Sequence, residues 1–183
     1  MKSNKVSVRF LCVTAMLTAL ICIMTAIPRI PIPLGYAHLG DAFILIAVLF
    51  VGKREGIWAA GIGSALADLL SGFPIWTVPT LLIKIIMAAI LGWIAYDKNG
   101  ECNLFTVRTA VGIVVSILWM VFGYTIAGAI LYGGILVGLT STPGLLMKGA
   151  LNIVIAYGAG SLLEKAHLRR VFAHQNTPIT EGK

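Results

Sequence analysis

Asp41, Asp68, Lys84, Lys148 and Asn152 are the residues able to do chemistry in a chain that otherwise offers little but hydrocarbon. Asp41 stands in YAHLGDAF (36–43), directly before the apolar run ILIAVLFVG, and Asp68 stands in SALADLLSG (64–72), near the end of the next apolar segment. Lys84 interrupts LLIKIIMA, while Lys148 and Asn152, at i and i+4, share one face of a later helix. A charge in hydrocarbon costs at least about 2.5–3.5 kcal/mol. Such groups must therefore face one another, a cavity or a ligand. Two roles are open. They can hydrogen-bond a polar molecule, or they can be structural, with Asp41 capping its helix and Asp68 pairing with Lys84.

The elements that position them follow from composition. Of 183 residues, 58% are hydrophobic and 11% charged, against roughly 25% charged in a soluble domain. This is an all-α membrane protein with little mass outside the bilayer, and it leaves no room for a soluble catalytic or DNA-binding module. At roughly 20 apolar residues per span, the chain divides into a single six-helix bundle, residues 1–183. The helices run at about 8–27, 39–52, 56–72, 77–96, 108–131 and 144–165, and a cytoplasmic tail spans 166–183. The first apolar run is longer than a signal core and lacks a clear cleavage site, so it reads as a retained helix. PRIPIPLGYAH (28–38) reads as an extended strap, because Pro28, Pro31 and Pro33 forbid helix. SGFPIWTVP (71–79) reads as a tight turn, and YGGILVGLTSTPG (132–144) as an uncharged loop.

The net charge of +7 reports topology rather than nucleic-acid binding. With both termini in the cytoplasm, Lys2, Lys5, Arg9, Lys53, Arg54, Lys98, Arg108, Lys165, Arg169, Arg170 and Lys183 lie inside, 11 of the 14 basic residues. Arg29 alone lies in an outer loop. This direction gives every polar residue a depth. Asp41 lies at the outer start of the second helix and Asp68 one turn before the outer end of the third. Lys84 is on the order of 10 Å below the outer end of the fourth, and Lys148 and Asn152 lie in the outer half of the sixth. Gathered at one depth, they predict a polar cavity open to the outside, with Tyr36 and His38 on the strap above it. Tyr36, Phe73, Trp76, Tyr124 and Tyr132 share that level, where Trp and Tyr are ordinarily interfacial anchors.

Other chemistries are excluded. Ser64 in GIGSA has no histidine in any helix to activate it, and no GxxxxGK[ST] loop is present for ATP. Cys12, Cys22 and Cys102 show no metal or redox spacing, and no histidine or carboxylate pair has metal-ligand spacing. The sequence thus predicts no enzyme, no metal and no cofactor. On the first helix, Ala15, Ala19, Cys22 and Ala26 form a stripe of small residues that lets another helix approach closely in lipid.

LGDAF opening the second helix, GSALADLLSG closing the third and LLIKIIMA in the fourth, in that order over roughly residues 8–165, resemble the substrate-binding S components of energy-coupling factor (ECF) transporters. The closest likeness is to the riboflavin-type or hydroxymethylpyrimidine-type group. The resemblance implies a multi-pass protein of the bacterial cell membrane that binds a vitamin from outside. It implies partners as well: a coupling transmembrane subunit driven by two cytoplasmic ATPases, reached through an Ala-x-x-x-Ala motif that Ala15 and Ala19 match and Ala26 extends. The expected ligand contacts are Tyr36, His38, Asp41, Asp68, Lys84, Lys148 and Asn152. This polar mixture, together with the family likeness, favours a small flat ring, hydroxymethylpyrimidine first and pyridoxine second. Riboflavin would need more aromatic lining, and folate more cations. The competing readings are a self-sufficient secondary carrier, with Asp68 and Lys84 relaying protons, and a membrane scaffold that binds nothing.

Overall fold

Backbone amides that meet no water must pair within their own segment, so the long apolar runs of this chain become helices. The computed structural model describes residues 7–28, 30–32, 35–98 and 100–166. Its helices are α1 (Val8–Ala26), α2 (Gly40–Ile46), α3 (Lys53–Leu70), α4 (Thr77–Ala95), α5 (Val107–Leu131), α6 (Ile135–Thr140) and α7 (Thr142–Lys165). Among the described residues, four segments are long and apolar enough to cross a membrane: Val8–Ala26, Pro74–Ala95, Val107–Leu131 and Ile135–Lys165. Large apolar side chains face outward around them, including Trp93, Leu136 and Val154. An exposed apolar surface of this extent belongs in lipid.

The proline-rich strap folds as an antiparallel hairpin of β1 (Ile30–Ile32) and β2 (Gly35–Ala37), with Pro31 opposite Tyr36. It delivers the chain to α2, the most enclosed helix of the bundle. Ala42, Ile44, Leu45 and Val48 have no solvent exposure, because α1, α3, α4 and α7 all pack around α2 and its continuation. That continuation is a π-helical turn, Ala47–Val51, closed by the Gly52 amide donating to the Ala47 carbonyl at 3.2 Å. At about 1.5 Å per residue, Gly40–Val51 is roughly 18 Å long, short of the ~30 Å hydrocarbon thickness. It is a core helix wrapped by longer ones. Tyr96 donates to the Val48 carbonyl at 2.8 Å, satisfying one of the acceptors that a helix end leaves open.

One expected boundary moves and two expected connections contain helical turns. α3 begins at Lys53 rather than 56, because Lys53, Arg54 and Glu55 form its first turn, with the acidic residue placed favourably at a helix N-terminus. The 71–79 break contains a 3-10 turn, Pro74–Trp76, and α4 starts at Thr77 with Pro79 in its first turn, where a missing amide hydrogen is harmless. The stretch 132–144 is not a plain loop, since α6 forms within it. α1 lies along α3, and Gly63 makes the approach possible: a Cβ there would sit 2.7 Å from the Thr18 carbonyl oxygen. Lys2, Lys5, Arg29, Pro33, Arg169, Arg170, Lys183 and the expected tail beyond Ala166 lie outside the described residues.

Candidate functional site

α2, α4 and α7 begin at the hairpin end of the bundle, and α3 ends there. This brings the expected polar residues into one buried group. Asp41, in the first turn of α2, accepts a hydrogen bond from the Lys84 ammonium through Oδ1, and Lys148 Nζ lies 3.2 Å from its Oδ2. Lys84, Asp41 and Asn152 have no exposure, Lys148 has 2% and His38 7%. Asp41 is therefore the shared counter-ion of two lysines and not the cap of its helix, and Lys84 pairs with Asp41 rather than Asp68. Removing a buried pair of charges from water returns little net stability, but stranding one partner costs about 3–5 kcal/mol.

The open amides at the start of α2 are met from elsewhere. The Gly40 amide donates to His38 Nδ1 at 3.1 Å, and the Ala42 amide donates to Asn152 Oδ1 at 2.8 Å. Asn152 also donates through Nδ2 to the carbonyls of His38 at 2.8 Å and Lys148 at 2.9 Å. Its amide is committed on both sides, so Asn152 ties α7 to the hairpin–α2 junction. Burial, reinforced by the Lys148 ammonium, holds the His38 imidazole well below its ordinary value. A neutral ring whose Nδ1 accepts must carry its proton on Nε2, and Nε2 lies 3.3 Å from Lys148 Nζ. Two donors thus converge on one point. His38, which could have been a solvated loop residue, is a buried helix-start partner.

Tyr36 and Asp68 form a second pair beside this group. The Tyr36 hydroxyl donates to Asp68 Oδ1 at 3.1 Å, linking the hairpin to the end of α3. Asp68 is 8% exposed, and no group completes a hydrogen bond to its Oδ2, although the Thr80 side chain lies close by. Aromatic rings enclose the whole. Tyr36 packs on His38 and Phe73 at centroid separations of 5.6 and 5.5 Å, and Trp76 packs on Tyr124 at 5.7 Å and Tyr132 at 6.1 Å. The Lys84 and Lys148 ammoniums each lie 5.2 Å from the Tyr124 ring centroid, within cation–π range. Trp76 and Tyr124 thus belong to the aromatic wall around the polar group. Trp76 is buried and donates to the Tyr132 hydroxyl at 3.2 Å, and Tyr124 donates to Thr80 Oγ1 at 3.1 Å.

The sequence overlooked Thr80, whose only signal is that it precedes Lys84 by one helical turn. The role of Tyr124 had no local signal, since it depends on how α5 crosses α4. Ser64 is buried in α3. Among the described residues no cluster of histidine, cysteine or carboxylate groups could hold a metal ion. Ala15 and Ala19 are exposed and Ala26 half-buried on α1. A cavity of about 770 Å³ lies at the other end of α2, lined by Lys53, Arg54, Glu55, Asp97, Glu101 and Arg108 among others.

A family model described as "ECF-type riboflavin transporter, S component" matches residues 5–165. An uncharacterised protein from Pyrococcus woesei is 33% identical over 153 residues, which cover 79% of this chain and 99% of that protein.

Proposed function

The chain belongs to the ECF-type riboflavin transporter S component family, and we propose that it captures riboflavin, or a flat vitamin of related chemistry, at the hairpin end of its bundle. Membership makes it a vitamin-binding subunit of a membrane transporter and not an enzyme. Six segments would carry the chain through the cell membrane, the short Gly40–Val51 helix crossing inside a shell of longer ones, with both termini cytoplasmic and the hairpin end outside. The captured vitamin would pass inward when the chain docks on a coupling transmembrane subunit driven by two cytoplasmic ATPases. The exposed Ala15 and Ala19 and the half-buried Ala26 on α1 support that docking face, because small residues let a partner helix come close.

The observation carrying the reading is the ring of aromatics around a charge-paired core. Five aromatic side chains, Tyr36, Phe73, Trp76, Tyr124 and Tyr132, pack on or beside the buried polar group. This is the lining a tricyclic ring system needs, and it supports riboflavin above hydroxymethylpyrimidine. The tight enclosure of the polar group, at most 8% exposed, keeps the smaller pyrimidine and pyridoxine as the second reading.

Mass spectrometry of small molecules released from the purified protein tests the ligand: a bound flavin is expected, and a bound pyrimidine would replace it. Cell uptake tests the docking face. Ala19→Trp should abolish uptake while leaving ligand affinity of the isolated chain within about twofold, since a bulky ring at a small-residue contact forfeits close packing. Undiminished uptake in both Ala15→Trp and Ala19→Trp would remove the stripe from the proposal. Uptake by this chain without any ATPase partner would turn the reading toward a secondary carrier.

A further inference from the structure

The four charged side chains at the hairpin end do not have equal freedom. Asp41 is consumed by Lys84 and Lys148, and Lys84 is wholly enclosed. Asp68 differs: its Oδ1 takes the Tyr36 hydroxyl, the Thr80 side chain lies against the carboxylate, and its Oδ2 is buried with no completed hydrogen bond. A buried acceptor left open is costly, and an ionised one more so. Such a group is stable when something bound there supplies the missing donor. The nearby charges also close among themselves, two lysines against two aspartates. Opposite the open acceptor in chemical sense stand the His38 Nε2–H and the Lys148 ammonium, two donors 3.3 Å apart.

We propose that Asp68 is the specificity-determining residue of this site: its Oδ2 accepts an N–H or O–H of the ligand, and its charge completes a neutral set that admits an uncharged ring and rejects the ring's phosphate ester. This rests on the vitamin-binding reading and sharpens it. A ligand edge carrying an N–H beside a carbonyl, as in a lactam or a uracil-like ring, offers a donor to Asp68 and an acceptor to the His38–Lys148 pair. A phosphate ester would bring about −1.5 to −2 charges into a group that has already balanced its own.

Calorimetric titration of the full-length protein separates the possibilities, using riboflavin and hydroxymethylpyrimidine, each with its phosphate ester. The wild type should bind one neutral compound and bind that compound's ester at least about 100-fold more weakly. Asp68→Asn keeps the shape but removes one negative charge. It should weaken the neutral ligand about tenfold or more, as expected for losing a charge-assisted bond, and bring the ester to within about tenfold of it. Tyr36→Phe leaves the carboxylate in place and should preserve the wild-type ratio. An unchanged ratio in Asp68→Asn, whether both affinities stay or both fall together, would overturn the assignment, because a merely structural aspartate moves both ligands alike. If the wild type binds none of the four compounds, the vitamin reading itself fails and takes this inference with it.

Discussion

At one end of α2, three charged side chains, Asp41 and its two lysines, meet with almost no exposure. At the other end, past the π turn, about 770 Å³ of space is bordered by Lys53, Arg54, Glu55, Asp97, Glu101 and Arg108. The first end is chemically demanding; the second is roomy and chemically undemanding. Arg54, Glu101 and Arg108 there are exposed, so water already solvates them, and exposed ion pairs contribute about 0–1 kcal/mol. Desolvated charge, which the fold must counterbalance at cost, is what supports placing the proposed ligand site at the first end.

The sharpest test of that contrast is Asp41→Asn. It strands the Lys84 and Lys148 ammoniums, so stability should fall by about 3–5 kcal/mol, which at about 2–4 °C per kcal/mol lowers the melting temperature by roughly 10 °C. Thermal unfolding of the detergent-purified protein measures it. A drop of under about 2 °C would mean that water reaches the lysines and that the two ends are alike.

Asn152→Leu comes next. Nearly the same volume stays, but the Ala42 amide and the His38 carbonyl lose their partner. Leaving buried groups unsatisfied costs about 1–3 kcal/mol apiece, so a loss of roughly 2–4 kcal/mol is expected. Ligand affinity should fall with stability, because Asn152 acts by holding the start of α2 against α7. An intact melting temperature with abolished binding would instead show the amide reaching the ligand directly.

The sequence displayed the chemistry of this end better than its connections. Asp41, Asp68, Lys84, Lys148 and Asn152 were legible because each interrupts an apolar run, and helix direction alone assigns them a common level. What could not be read was the pairing. Any of the carboxylates could have faced Lys84, and only the depth of α2 inside the bundle brings Asp41 to both lysines. Likewise α6 was hidden by the glycine and proline around it. It forms because Ile135–Thr140 packs on α5, and Gly138 comes so close that a Cβ would lie 2.4 Å from the Thr125 carbonyl oxygen. The π turn at Ala47–Val51 has no counterpart in residue type, since AVLFV is as compatible with an ordinary α-helix.

The smallest expected effect lies at the open end, and it can break the comparison most directly. Lys53 is half-buried, and its aliphatic stem lies over Gly92, where a Cβ would meet Lys53 Cγ at 2.8 Å. Lys53→Met retains an unbranched apolar stem and removes only the charge. If the cavity is solvent space beneath a lipid-embedded bundle, stability should change by less than about 0.5 kcal/mol, as for surface substitutions generally. Ligand affinity should stay within about twofold, because the substitution lies past the far end of a helix roughly 18 Å long. The paired measurement is titration of the same ligand against Lys53→Met and Lys148→Met. Both remove one ammonium, and they differ in which end of α2 loses it. Lys148→Met should weaken binding about tenfold or more, as expected when a buried bond to a charged group is lost. The reverse result, with Lys53→Met abolishing binding and Lys148→Met leaving it intact, would move the ligand to the roomy end and reduce the buried charges to scaffolding.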